Sequence, residues 1–392
     1  MLDASFDAPV VKFIADILET AIHKGASDVH FEPYEKYYRV RLRIDGILHE
    51  IAKADLALTD QYSARLKVMA RLDVAEKRLP QDGRFTLRLS KEQNSDCRIS
   101  TCPTLFGEKV VVRILPSSSV ALDLVSLGLN SEEQEIFLRA IKKPEGMILV
   151  TGPTGSGKTV SLYAALNILN AETRNIISIE DPIEIQLPGI NQVEVHPKIG
   201  LTFAKALRSF LRQDPDVIML GEIRDLDTAE IAVRAAQTGH LVLATLHTNS
   251  ALEAVTRLLN LGVPVFNLAG SLQLVIAQRL VRRLCPHCKK EIHFSKEKWQ
   301  ASALSVLPYS KDQNICQAVG CSNCNKGYAG RIGIFEFLPF TNQMGEVLLR
   351  GNDLNALAIL AEQNGLQKLR MSAARKILEG VTSLEEVERI IM

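Results

Sequence analysis

The chain has 392 residues, of which 46% are hydrophobic and 23% charged, and its formal net charge is +1. That is room for two or three domains with real cores, and a balance so near neutral excludes a generally basic nucleic-acid binder or an acidic tail. No apolar run reaches the roughly 18 residues that cross a bilayer, and the opening MLDASFDAPV is acidic without a signal-peptide hydrophobic stretch. The expected location is therefore cytoplasmic, with membrane contact only through partners.

In chain order, APVVKFIADILETAIHKGASD has apolar residues at helical spacing and stops at Gly25. YYRVRLRIDGILHEI alternates apolar and polar residues around an Asp-Gly turn and predicts a hairpin. QYSARLKVMARLDV returns to helical period, and GRFTLRLS, DCRISTCPT and GEKVVVRIL predict strands. Residues 1–116 thus form a small α+β domain with a largely antiparallel sheet. Within it, Cys97 and Cys102 are expected to be buried thiols. PSSSV supplies a linker over 117–120. From 121 to about 280, strands alternate with helices: GMILVTG, NIISIE, DVIMLGE and LVLATLH, each followed by an amphipathic stretch. That rhythm predicts a parallel sheet with helices on both faces. Residues 281–330 form a cysteine-bearing module and 331–392 a helical region.

GPTGSGKT, Gly152 to Thr159, fits the phosphate-loop pattern, follows the apolar strand MILV and opens the helix TVSLYAALNIL. Backbone N–H groups of Gly152, Pro153, Thr154, Gly155, Ser156 and Gly157 (proline excepted) would curl round phosphate oxygens at a helix N-terminus. Lys158 would reach the β and γ phosphates of ATP and the Thr159 hydroxyl would touch Mg²⁺. In an open parallel sheet, ligands sit beyond the carboxyl ends of the strands. Three further strands end there in useful residues: Glu180 with Glu184 just after, Gly221-Glu222, and His247. Other nucleotide hydrolases place an acid at the first position past such a strand; here that position is Gly221, and Glu222, one residue later, can hold a metal-bound water. Glu180 and Glu184 are both candidates to orient the attacking water. His247 is a candidate γ-phosphate sensor, and His240, at the other end of the same strand, is a further candidate.

RLCPHCKK and GCSNCNKGYAG hold two CxxC pairs, Cys285 with Cys288 and Cys321 with Cys324, 32 residues apart. Two such knuckles present four thiolates to one tetrahedral ion, and a Cys₄ set suits structural Zn²⁺. The spacer exceeds the commonest range, so spacing alone leaves free thiols open.

GPTGSGKT, IEDPIE, LRQDPDVIMLGEIRD and TGHLVLATLHTN stand in order and resemble the Walker A, Asp, Walker B and His boxes of the secretion ATPases that power type II secretion and type IV pili. GASDVHFEP and RLPQDGR in the first domain match that superfamily as well. Within it, KTVSLYAALNILN, GINQVEVHPKIG and GRIGIFEFLPF are most similar to the pilus-assembly (extension) branch, with type II secretion the near alternative. The resemblance implies a PAS-like domain followed by a RecA-like P-loop ATPase domain, a zinc-binding insertion and a helical C-terminus. It also implies a homohexamer that drives an inner-membrane platform protein and works at the cytoplasmic face of the inner membrane, with no nucleic-acid partner. The family's catalytic arginines match Arg84, Arg98, Arg208 and Arg212, and zinc on the four cysteines follows from it too. Members carry a further N-terminal domain that docks on the platform, and this sequence begins where their second N-terminal domain begins. The competing readings are a DNA-translocating ATPase and a nucleotide-dependent scaffold with little turnover.

Overall fold

Apolar periodicity sets each element of the first unit. A computed structural model of the chain describes residues 8–88, 94–115, 122–310, 313–351 and 353–391, and the chain divides into two units, Met1–Val120 and Ala121–Met392. The expected linker 117–120 lies outside the described residues. In the first unit α1 (Ala8–His23) leads to β1 (Ala26–Pro33), the hairpin β2 (Tyr38–Ile44) and β3 (Ile47–Ala54), α2 (Thr59–Met69), and then β4 (Gln81–Arg88), β5 (Asn94–Thr104) and β6 (Gly107–Ile114). The six strands form one antiparallel sheet in the order β3-β2-β1-β6-β5-β4. The hairpin turn places Asp45 at φ 49° and Gly46 at φ 85°, the pair of left-handed residues a two-residue loop needs. Strand alternation sends Val29, Phe31, Val40, Leu42, Ile99 and Val112 to one face, where they pack with Ile14, Leu18 and Leu66 of the helices.

The opposite face is charged. Arg84 stands opposite Arg98, and Arg98 opposite Arg113, across three adjacent strands. The same alternation corrects one expectation: Cys97 is buried but Cys102 is exposed. An odd sequence separation puts the two thiols on opposite faces, and Cys102 lies beside Lys109 on the charged one.

The second unit begins with α3 (Leu124–Leu127) and α4 (Ser131–Ile141), the latter closed by an Asn130/Glu133 capping box. Then come β7 (Gly146–Thr151), α5 (Lys158–Leu169), β8 (Ile176–Glu180), β9 (Asn191–Glu194), α6 (Phe203–Phe210), β10 (Val217–Leu220), α7 (Leu226–Gln237), β11 (Leu241–Leu246), α8 (Ala251–Leu261) and α9 (Val265–Ser271). Every residue of β7, β8, β10 and β11 is buried, as a parallel sheet covered on both faces requires. With β12 at Leu272–Leu284 and β15 at Tyr328–Pro339, the sheet order is β15-β12-β7-β11-β10-β8-β9, parallel throughout except for β15.

β12 (Leu272–Leu284) and β15 (Tyr328–Pro339) revise the expected modules. The strand β12 runs through the expected boundary at 280/281, and residues 331–339, expected to begin a helical region, form most of β15. The stretch IGIFEFL is buried at seven consecutive positions. Its burial comes from β12 on one edge and helices on the face, which local period does not reveal. The cysteine segment is thus an insertion between two paired strands of the core sheet. It carries β13 (Lys290–His293), α10 (Lys296–Gln300) and β14 (Asn314–Gln317). After β15 come α11 (Asn342–Gly351), α12 (Leu354–Gln363), α13 (Leu369–Leu378) and α14 (Leu384–Ile391). Among the described residues, no helix is long and apolar enough to cross a membrane.

Candidate active site

The β7–α5 turn is a cradle shaped by glycine. Gly152 has φ 154° and Gly157 φ 87°. A Cβ on Gly152 would fall 2.5 Å from the Gln278 carbonyl oxygen, and one on Gly157 would fall 2.8 Å from Gln278 Nε2. Gly157 caps α5 with no side-chain hydrogen bond, so the first N–H groups of that helix face the turn open to an anion. The Ser156 hydroxyl is buried there with no partner among the described residues. Such a cradle, lined by free donors, fits a polyphosphate. Lys158 is buried and its ammonium donates to the carbonyls of Gly152, at 2.8 Å, and Pro153, at 3.1 Å. Burial lowers its pKa to about 8, Glu222 opposes that shift and Arg279 adds to it. Thr159 follows as the second residue of α5, half-buried.

Strand register brings the other groups to this edge. Thr151 pairs with Leu246, Leu220 with Ala244 and Ile179, and Thr151 also with Ala277. The residues just past those positions are Gly152, His247, Gly221-Glu222, Glu180 and Gln278. Glu222 is half-buried, accepts from the Arg224 guanidinium and lies 3.5 Å from His247 Nε2. Burial, reinforced by the Lys158 charge, lowers the pKa of His247; the imidazole is therefore neutral at pH 7. Lys158, Glu222 and His247 thus form one electrostatic cluster, as expected from three separate strand ends.

Glu180 reaches the same edge but is occupied inside it. It is 2% exposed. The Tyr163 hydroxyl donates to its Oε2, and Ser178 Oγ at 2.6 Å and Gln192 Nε2 at 3.1 Å donate to its Oε1. Burial raises its pKa. Tyr163 also accepts from the N–H groups of Glu184, at 3.3 Å, and Ile185, at 3.4 Å. Glu180 and Tyr163 together tie the turn after β8 to α5. Glu184, on that turn, is half-buried.

His240 lies at the opposite end of β11 from His247. It precedes β11, and its Nδ1 lies 3.0 Å from the Ala235 carbonyl at the end of α7. The six residues of β11 separate it from His247 by about 20 Å at the usual rise of a strand. Arg208 pairs with Asp227, and Arg212 donates to the Arg208 carbonyl at 2.8 Å. The charges that act on Lys158 are those of Glu222 and Arg279; the structure does not bring Arg208 or Arg212 into that cluster. Arg84 and Arg98 belong to the first unit, side by side on β4 and β5.

In the insertion the four cysteine sulfurs lie within 4.8 Å of one another. Cys285 and Cys321 are 3.9 Å apart, Cys288 and Cys324 3.7 Å, and Cys321 and Cys324 3.6 Å. The edge of a tetrahedron of thiolates around zinc, with Zn–S ~2.3 Å, is ~3.8 Å. A disulfide needs ~2.05 Å. The donor set therefore fits one Zn²⁺, with no fifth group for chemistry. Backbone N–H groups of Gly320 and Gly327 point at Cys288 and Cys324, each at 3.3 Å, the hydrogen bonds that thiolate ligands take. Cys316 is buried outside the cluster.

Residues 3–389 match the family described as type II/IV secretion system protein. The chain belongs to that family. It is 54% identical over 388 residues to the type IV pilus assembly ATPase PilB of Pseudomonas aeruginosa, covering 98% of this chain and 68% of that one. It is 46% identical to the type II secretion system protein E of Aeromonas hydrophila, over 100% of this chain and 77% of that one. Among solved structures it is similar to the pilus retraction motor PilT with bound ADP, at 27% identity and a TM-score of 0.65, covering 96% of each chain.

Two residues of this secretion-family chain escaped the sequence reading. Gln278 is 1% exposed, accepts from Ser161 Oγ at 2.7 Å, and forms the wall against which Gly152 and Gly157 pack. Arg279 follows it. Both sit on β12, whose LVIAQRLV run carries the apolar signal of a buried strand broken by one Gln-Arg pair. That interruption was the available clue. Beside the loop, a cavity of about 550 Å³ is lined by Pro153, Thr154, His247, Thr248, Asn249 and the exposed side of α8.

Proposed function

We propose that this chain is the Mg²⁺-dependent ATPase of a type IV pilus assembly machine, acting as a homohexamer on an inner-membrane platform protein. The carrying observation is the meeting of Lys158, Glu222 and His247 at the mouth of the glycine cradle. The cradle and Lys158 hold the β and γ phosphates. Thr159 and, through water, Glu222 would hold Mg²⁺, which supplies charge neutralisation of the transferring phosphoryl group. Glu184 orients the attacking water, and neutral His247 donates to the γ-phosphate. Arg84, Arg98, Arg208 and Arg212 are the cations a ring would bring to the developing charge. The four cysteines hold a structural Zn²⁺.

Pilus assembly is preferred over type II secretion because the identity to the pilus ATPase, 54%, exceeds that to the secretion protein, 46%. The deciding experiment is Glu222→Gln measured for ATP binding and for phosphate release. Hydrolysis is expected to fall at least about a hundredfold with binding retained. Parent-like turnover in this variant would remove the assignment of Glu222.

A further inference from the structure

β12 continues for seven residues beyond the end of β7, from Gln278 to Leu284. The first two of those residues lie at the level of the phosphate loop, and alternation turns their side chains to opposite faces of the sheet. Gln278 turns to α5. Arg279 turns to the loop after β11: its Nη2 donates to Asn249 Oδ1 at 2.9 Å and to the Asn249 carbonyl at 3.2 Å. Its Nη1 donates to the Gln278 carbonyl at 3.0 Å, the oxygen that lies against Gly152. The guanidinium therefore bridges the base of the phosphate loop and the loop that carries His247.

Its partners are neutral. Among the described residues no carboxylate pairs directly with Arg279, and the acids that act on it at a distance are Glu253 and Glu336. Both are engaged with backbone N–H groups, Glu253 with Asn249 at 2.8 Å and Glu336 with Ala251 at 2.7 Å. A half-buried guanidinium without a counter-ion is costly, and it repays that cost by meeting an anion. Its charge is felt at Lys158, so the anion that suits both cations is a polyphosphate in the cradle. A guanidinium offers five N–H donors, which leaves some for phosphate oxygens after the three bonds above.

We propose that Arg279 is a further phosphate-binding residue of this site, a cation from the chain's own β12 that contacts the terminal phosphate of ATP from the His247 side while Asn249 fixes its direction. This rests on the ATPase reading above. It places the contact on the γ side because Asn249 lies two residues past His247 and borders the same cavity as Thr154.

The test is binding of fluorescent ATP and ADP analogues, with Mg²⁺, to the full chain and to Arg279→Gln, Arg279→Lys and Asn249→Ala. Arg279→Gln is expected to weaken ATP by about ten- to a hundredfold, the range of one charge-assisted contact, and to change ADP by less than about threefold. Arg279→Lys recovers part of the loss, and Asn249→Ala, on an exposed loop, shifts ATP in the same direction by several-fold. Thermal stability and zinc content stay at parental values. ATP and ADP affinities both within about twofold of the parent in Arg279→Gln would overturn the assignment, as would equal losses for the two nucleotides. If Arg279→Gln does not fold, Asn249→Ala decides alone: unchanged ATP affinity overturns the proposal. A parent chain that binds neither nucleotide overturns the ATPase reading itself, an outcome separate from a parent that binds ATP and an arginine variant that binds it equally.

Discussion

The affinity of the site for ATP should fall as pH rises from 7 to 9. Lys158 has a pKa of about 8 because the fold buries it, well below the ordinary value for lysine. Its ammonium form is the one a triphosphate selects. With a midpoint near 8, roughly ten parts in eleven are charged at pH 7 and roughly one part in eleven at pH 9. If the bound state keeps the proton throughout, the apparent affinity drops by about tenfold, equivalent to ~1.4 kcal/mol. The neighbours support the sign. Glu222 holds the pKa up, so Glu222→Gln should move the midpoint to lower pH. His247, already lowered, is neutral across this window and adds no slope. The same shift acts on folding in the opposite sense. The folded pKa lies below the unfolded one, so the unfolded chain binds more protons between about pH 8 and 10.4, and this residue's contribution to stability rises with pH in that window. The assay is titration with a fluorescent ATP analogue at pH 7, 8 and 9 for the parent and Glu222→Gln. An affinity constant across that range, or a midpoint that moves to higher pH in the variant, would refute the reasoning.

Four further outcomes follow from the geometry. His247→Ala should lower kcat by on the order of a hundredfold, as loss of a donor to a developing charge does. His240→Ala, about 20 Å away at the far end of β11, should leave steady-state ATP hydrolysis within about twofold. Glu386 is fully buried between Arg282 and Arg389, at 2.7 and 2.6 Å. Glu386→Ala should therefore cost about 3–5 kcal/mol of the second unit's stability in chemical denaturation. Cys285→Ser should take zinc from about one per chain to near zero by elemental analysis, since a site of three thiolates loses its closed tetrahedral set.

The parts of the site that were legible in sequence are those coded locally. GPTGSGKT sits between an apolar strand and a helix, and the runs IISI, VIML and LVLATL each end in a chemically distinctive residue. Strand, turn and helix then follow from neighbours in the chain. The illegible parts depend on distant partners. Glu180 looked available, but it is occupied by Tyr163 and Gln192, which lie 17 and 12 residues away. His240 looked equivalent to His247 until strand direction separated them. β12 and β15 pair across an insertion of more than forty residues, so neither their partnership nor the place of Gln278 and Arg279 at the loop is encoded in a short window. Cys102 shows the converse, because alternation alone from Cys97 would have exposed it.

The displaced acid after β10 has a steric origin. At the first position past the strand, the Gly221 N–H donates to the Ile179 carbonyl at 2.8 Å, and the Gly221 carbonyl accepts from Thr245 Oγ1. The backbone is therefore tied to β8 on one side and β11 on the other. A Cβ at that point would lie 3.2 Å from Glu180 Cα and 3.3 Å from the Ile179 carbonyl oxygen, tighter than a side chain tolerates without shifting the strands. An acid there would also stand beside buried Glu180, whose oxygens already have their donors. One residue later the chain has left the ladder, and Glu222 faces Lys158 and His247 instead. Gly221→Ala should therefore push the β8 backbone away from β10 by a few tenths of an ångström before it disturbs the chemistry. Its thermal stability should fall together with ATP hydrolysis, whereas Glu222→Gln lowers hydrolysis alone. A Gly221→Ala protein of parental stability would show that close approach to Glu180 is not what excludes a side chain there.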